Sequence, residues 1–150
     1  MNKVSKKLSR EQFGKAESFL KKYARKLDQA CFDYHFNKIS LQHVLAELTK
    51  YQNDDGGFGN GIEPDIRSKL SSPIFTTIAF QYLESLNINE TPNFVSSALK
   101  YFDEMFKEDL YQWLPITKEI NNSPNAPWWS FDEENIKRVM NLGEIPLLKY

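Results

Sequence analysis

The stretch whose reading decides the fold is Tyr51-Gln52-Asn53-Asp54-Asp55-Gly56-Gly57-Phe58-Gly59-Asn60-Gly61-Ile62-Glu63-Pro64-Asp65-Ile66-Arg67. It holds four of the six glycines in the chain. Glycine loses more backbone entropy on folding than any other residue, so a cluster marks unusual dihedrals or a close approach of two backbones. Helical patterns stand on both sides. The stretch therefore reads as an ordered helix-to-helix connection.

Upstream, Ser9-Arg10-Glu11-Gln12 has the form of a capping box, with Ser9 at N-cap and Gln12 at N3. Phe13, Ala16, Leu20, Tyr23, Leu27, Ala30 and Tyr34 then recur at steps of three and four, which is one apolar helical face. A break is expected near Arg25 to Asp28 and an end near Phe36. Ser40 precedes a second pattern with Leu41, Val44, Leu45, Leu48 and Tyr51 on one face. Downstream, Ser72-Pro73 is a helix start, with serine at N-cap and proline at N1. The apolar residues Ile74, Ile78, Phe80, Tyr82, Leu83 and Leu86 fall on more than one face, as in a buried inner helix. Thr91-Pro92 repeats the start signal before Phe94, Val95, Ala98, Leu99, Phe102 and Phe106. From Lys107 to Pro127 the pattern lapses, and Pro115, Pro124 and Pro127 mark irregular backbone. Ser130-x-x-Glu133 would cap a last short helix, from about Asp132 to Asn141.

No stretch alternates with period two over a full strand. The class expected is all-α, built of helix hairpins. At 150 residues the chain is read as a single domain, residues 1–150, with residues 1–8 frayed. A net charge of -1 gives no footprint for nucleic acid. No apolar run approaches the roughly 20 residues of a membrane span. No apolar core follows Lys3, Lys6 and Lys7, which argues against a signal peptide. The single Cys31 fits a reducing, cytoplasmic setting and reads as a core residue.

The segment Gln52-x-x-Asp55-Gly56-Gly57-Phe58-Gly59 resembles the Gln-x-x-Asp-Gly-Gly-Phe element repeated in protein prenyltransferase β-subunits. It is also similar to the Gln-x-x-Asp-Gly-x-Trp element of squalene-hopene and oxidosqualene cyclases. With Glu63-Pro64-Asp65-x-Arg67, Ser71-Ser72-Pro73 and Ala126-Pro127-Trp128-Trp129, the chain looks like an uncharacterised bacterial branch of that superfamily. The resemblance implies an (α/α) toroid of inner and outer helices. A closed toroid of that family needs about twice this length, by the rise and loop lengths of paired helices. The expectation is thus a partial toroid, the N-terminal portion or one half of a larger assembly. A homo-oligomer that covers the open ends, or a missing C-terminal half, would complete it.

Read as residues alone, the same element is a clasp. Gln52 offers its amide to backbone groups left free at a helix end, Asp55 accepts from N–H groups in the turn, and Phe58 packs beneath it. Gly56, Gly57 and Gly59 allow the tight path. The chemistry of the resembled families is only partly present. The Asp-x-Asp-Asp acid motif of class II cyclases does not occur. One cysteine and two histidines, His35 and His43, make a catalytic zinc set unfavourable, and no metal or cofactor is expected. Asp54 and Asp55 do not match a calcium-loop pattern, because Gln52 and Gly56 stand where ligands are required; a looser cation site there stays open. The Gly57-x-Gly59 pair follows a helix, so neither a dinucleotide nor a P-loop reading survives.

Two groups remain as candidates. Glu63, Asp65 and Arg67 place two carboxylates beside a guanidinium, suited to acid–base work or to anchoring a loop by ion pairs. Trp113, Trp128, Trp129 and Phe131 lie in the irregular segment, where they either stack on a ligand or bury the loop. The leading expectation is a site for a small ligand, apolar or glycan-like, beside these groups. A sugar-active hydrolase or lyase using Glu63 and Asp65, and a partner-binding helical module without catalysis, are the alternatives.

Overall fold

Ser9 opens the first helix in the way its spacing implies. In the computed structural model, which describes residues 7–88, 91–109 and 111–132, the Ser9 hydroxyl accepts from the Gln12 N–H at 3.2 Å. The Gln12 side-chain Oε1 accepts from the Ser9 N–H at 3.0 Å. The fold class is all-α. The chain forms two compact units that divide after Leu48.

The first unit holds α1 (Arg10–Tyr23), α2 (Lys26–Asn37) and most of α3 (Leu41–Thr49). The long apolar face breaks where Ala24 and Arg25 turn extended, with ψ of 158° and 157°. Local side chains hold the break. The Arg25 guanidinium forks onto Asp28 at 2.8 and 3.0 Å, and Gln29 Nε2 donates to the Ala24 carbonyl at 2.8 Å. Lys38 ends α2 in the left-handed region, at φ 57°. Phe13 of α1 packs on Phe32 and Phe36 of α2, with ring centroids 5.8 and 5.4 Å away. Lys21 of α1 pairs with Asp33 of α2. Asp33 is buried, and Asn37 Nδ2 donates to its second oxygen at 2.9 Å. The hydrogen bond from Lys21 holds the Asp33 carboxyl below its ordinary value of 3.8. Leu27, Ala30, Val44, Leu45 and Leu48 are buried, whereas α1 has no buried residue.

The second unit is built on α4 (Pro73–Ser85) and α5 (Phe94–Met105). The Ser72 hydroxyl accepts from the Phe75 N–H at 3.2 Å, so the Ser-Pro start operates as a cap. Pro73, Phe75, Thr76, Ala79 and Leu83 of α4 are buried. The second start signal is displaced. The helix begins at Phe94, after Thr91-Pro92, because Pro92 first closes a turn by accepting from the Val95 N–H at 3.0 Å. Phe106 leaves the helical face on which its spacing puts it. It opens a small antiparallel pair, β1 (Phe106–Lys107) with β2 (Gln112–Trp113), inside the irregular region. Two short 3₁₀ helices follow, Lys118–Asn122 and Pro127–Trp129. The helix expected from Asp132 to Asn141 lies outside the described residues, apart from Asp132 itself. Phe58, Ile62, Ile66, Phe75, Leu86 and Ile120 form the fully buried centre of this unit. Burying each such side chain contributes about 1.5–3 kcal/mol.

Candidate functional site

The glycine corner is tied at both ends. Gln52 and Phe58 form an isolated antiparallel bridge. The Gly59 N–H donates to the Tyr51 carbonyl at 2.9 Å, and the Ser72 N–H donates to the Phe58 carbonyl at 3.2 Å. Gln52 Nε2 reaches three acceptors, the Gly56 carbonyl at 2.8 Å, the Phe94 carbonyl at 3.1 Å and the Ser97 hydroxyl at 3.0 Å. One amide thus joins the loop to the first turn of α5. Asp55 Oδ1 accepts from the Gly57 N–H at 2.9 Å and from the Ser71 hydroxyl at 2.8 Å. Phe58 is fully buried, its ring 6.0 Å from that of Phe94. Its N–H donates to the Thr76 hydroxyl at 3.0 Å. Gly56 needs its φ of 85°. A Cβ on Gly59 would come within 3.0 Å of the Lys69 and Leu70 carbonyls.

Two further residues hold this corner. Asn53 Nδ2 donates to the Lys69 carbonyl at 2.9 Å and the Ser71 hydroxyl at 2.8 Å. Its oxygen accepts from Asn60 at 2.9 Å. Tyr101 is buried with its ring against Gly57. Burial, and then the nearby Asp55 charge, push its phenol up to about 12. An asparagine beside an Asp-Gly turn is a usable signal for Asn53. Nothing local points to Tyr101.

The second candidate group is assembled from two distant segments. The Arg67 N–H donates to the Pro124 carbonyl at 2.9 Å, and the Ala126 N–H donates to the Asp65 carbonyl at 2.8 Å. These bonds bracket a bridge between Ile66 and Asn125. They set the backbone of Glu63-Pro64-Asp65-Ile66-Arg67 directly beside Pro124-Asn125-Ala126. Ile66 is fully buried, while Asp65 and Arg67 on either side of it are exposed. That is the period-two alternation of an extended segment. Glu63 folds onto its own turn, its Oε1 accepting from the Asp65 N–H at 3.3 Å. Among the described residues no ion pair joins Glu63, Asp65 and Arg67.

The aromatic residues divide. Trp128 is 73% exposed and sits on the turn that Ala126 begins. Trp129 turns inward, its ring 6.2 Å from Phe75, and its Nε1 is a buried donor without a partner. Phe131 is fixed through its backbone: its N–H donates to Asn121 Oδ1 at 2.7 Å, and its carbonyl accepts from Asn121 Nδ2 at 3.0 Å. Trp113 is held at the end of α5, donating to the Phe102 carbonyl at 2.6 Å and stacking edge-on to Phe106 at 4.8 Å. The structure therefore joins the segment carrying Trp128 and Trp129 to that carrying Asp65 and Arg67, and gives Trp113 a separate set of contacts on α5.

A cleft of about 400 Å³ opens between the end of α4 and the start of α5, lined by Phe80, Leu83, Glu84, Asn87, Ile88, Thr91, Pro92 and Val95. None of the candidate site residues lines it. Among the described residues no group of three or more His, Cys, Asp or Glu side chains is placed to hold a metal ion. No described helix is long and apolar enough to cross a membrane. Compared with known proteins, the chain matches no family model, no curated protein and no solved structure.

Proposed function

We propose that this chain is a binding module of the partial (α/α) toroid kind, and that it takes a glycan-like ligand on the surface formed by Trp128, Asp65 and Arg67. The observation that carries the reading is the pairing of residues 65–67 with residues 124–126. It sets an exposed indole on the segment adjoining an exposed carboxylate and an exposed guanidinium. An indole face stacks on the apolar face of a sugar ring, and charged groups at its border satisfy the hydroxyls. An isoprenoid would leave Asp65 and Arg67 desolvated without partners, which is costly.

Binding is favoured over hydrolysis. Two-acid glycosidases set their carboxyl groups across a cleft from one another. Glu63 and Asp65 instead share one turn, and Glu63 bonds the Asp65 backbone. The glycine corner supports this reading as scaffold, since Gln52, Asp55 and Phe58 use their polar groups and ring on the loop, α4 and α5. The single free cysteine, Cys31, supports a cytoplasmic setting.

The test is a titration of intrinsic tryptophan emission with a panel of oligosaccharides and with a soluble isoprenoid diphosphate. A saturable change with a saccharide is expected. Trp128→Ala should weaken it by about tenfold, given roughly 0.5–1.5 kcal/mol for a stacked ring beyond its area. Trp113→Phe should leave affinity unchanged. Saturation by the isoprenoid alone, or a Trp128→Ala titration identical to that of the parent, would rule the reading out.

A further inference from the structure

The helix α1 is amphipathic in sequence yet none of its residues is buried. Its inner side faces α2 through Phe13 and Lys21. A second apolar strip is left on the outside, where Phe19 and Tyr23 are 61% and 63% exposed. The two rings stand one turn apart with centroids 5.0 Å from each other. Lys22 Nζ lies 4.9 Å from the Tyr23 ring centre, and Lys15 is also exposed. At 100° per residue, Lys15 and Lys22 fall along one edge of this strip.

Charge is concentrated in the same region. The first 26 residues hold nine lysines and arginines against two glutamates, a balance of +7. The remaining residues carry -8, which returns the chain to its net -1. Lys21 and Arg25 are engaged inside the unit by Asp33 and Asp28. Arg10, Lys22 and Lys26 remain exposed, as does Lys15, which pairs with Glu11 on its own helix at 2.7 Å.

From these observations we infer that α1 is a membrane-surface helix, binding anionic bilayers through Phe19 and Tyr23 with lysines on its flank. An exposed aromatic strip bordered by lysines matches an interfacial helix lying in the plane of the headgroups. The lysine stems run along the apolar boundary while their ammonium groups reach phosphate. Each cation near an anionic surface contributes about fivefold to binding, from roughly 1 kcal/mol per residue. The aromatic pair is what favours a bilayer over a purely anionic polymer, for which lysines alone suffice.

The experiment is vesicle flotation of the full chain with phosphatidylcholine alone and with phosphatidylcholine carrying one third phosphatidylglycerol. Binding is expected only to the anionic vesicles, with loss as salt is raised. The exchange of Lys15 and Lys22 for glutamine should weaken binding about 25-fold, on the same scale of about fivefold per cation. Phe19→Ser with Tyr23→Ser should weaken it by about a hundredfold or more, since two rings lose their burial in the bilayer. All four positions are exposed, and far-UV circular dichroism of each variant should match the parent. Equal flotation with both vesicle types would overturn the proposal. So would full retention of binding after loss of both rings, which would assign the surface to anionic polymers. A salt-sensitive dimer in place of vesicle binding would assign it to a second copy of the chain.

Discussion

A single methyl group would have opposite effects at two of the described glycines. Added at Gly59, it would meet the carbonyls of Lys69 and Leu70, which are backbone and cannot swing aside. Added at Gly14, inside α1, it would meet nothing within 4 Å. Gly59→Ala should therefore destabilise the second unit by about 2 kcal/mol or more, as overpacking does. Gly14→Ala should stabilise α1 by up to about 1 kcal/mol. Urea unfolding followed by tryptophan emission reads the first change, because all three tryptophans lie beyond Leu48. Far-UV circular dichroism reads the second. At this scale much was legible in advance. The need for glycine at 56, 57 and 59 and the inward packing of Phe58 follow from local composition. The work of Tyr101 was not legible, since nothing near it in the chain points to Gly57, and that of Asn53 was legible only as a turn residue, since Lys69 and Ser71 lie 16 and 18 residues on.

Helices were legible wherever a cap and a period coincided. Ser9 and Ser72 cap α1 and α4 as their spacing implies. The start of α5 was displaced because proline at position 92 serves a turn as readily as a first helical residue. The pairing of α1 with α2 adds a feature that no pattern announces, the Lys21–Asp33 contact. Asp33 is held below its ordinary value by that hydrogen bond, so the contact stabilises the first unit above pH 3.8 and is lost as the pH falls through the lowered value. Asp33→Asn should cost about 1 kcal/mol at neutral pH, less than a fully buried pair because Lys21 is partly exposed. The gap between parent and variant should close below pH 3.8, as circular dichroism melts at a series of pH values will record.

Across the described residues, each unit carries a group whose ionisation burial opposes. In the first unit, burial and then the Asp28 charge raise the Cys31 thiol from 9.0 to about 11, against a lowering by Arg25. In the second, the Tyr101 phenol moves from 10.0 to about 12. The unfolded chain ionises these groups first, so stability is full below pH 9 and declines as the pH rises toward 12. Thermal melts should therefore fall steadily from pH 9 upward, and Tyr101→Phe should flatten the upper part of that decline. A flat profile between pH 9 and 12 would contradict both assignments. The candidate surface itself belongs to this scale. Glu63, Asp65 and Arg67 were legible as a polar group, and Trp128 and Trp129 as aromatics in irregular chain. The adjacency of the two segments was not, because it depends on two backbone bonds between stretches about 60 residues apart.

Tyr51 grips Gly59, and Phe58 grips Ser72, so the strand of chain between them returns to where it set out. A protease that severed the exposed Asp54–Asp55 bond would leave two fragments still fastened by Gln52, Asn53 and the bond from Gly59 to Tyr51. Such cleaved protein would pass through a sizing column like the uncut form, and only denaturing electrophoresis would reveal the scission.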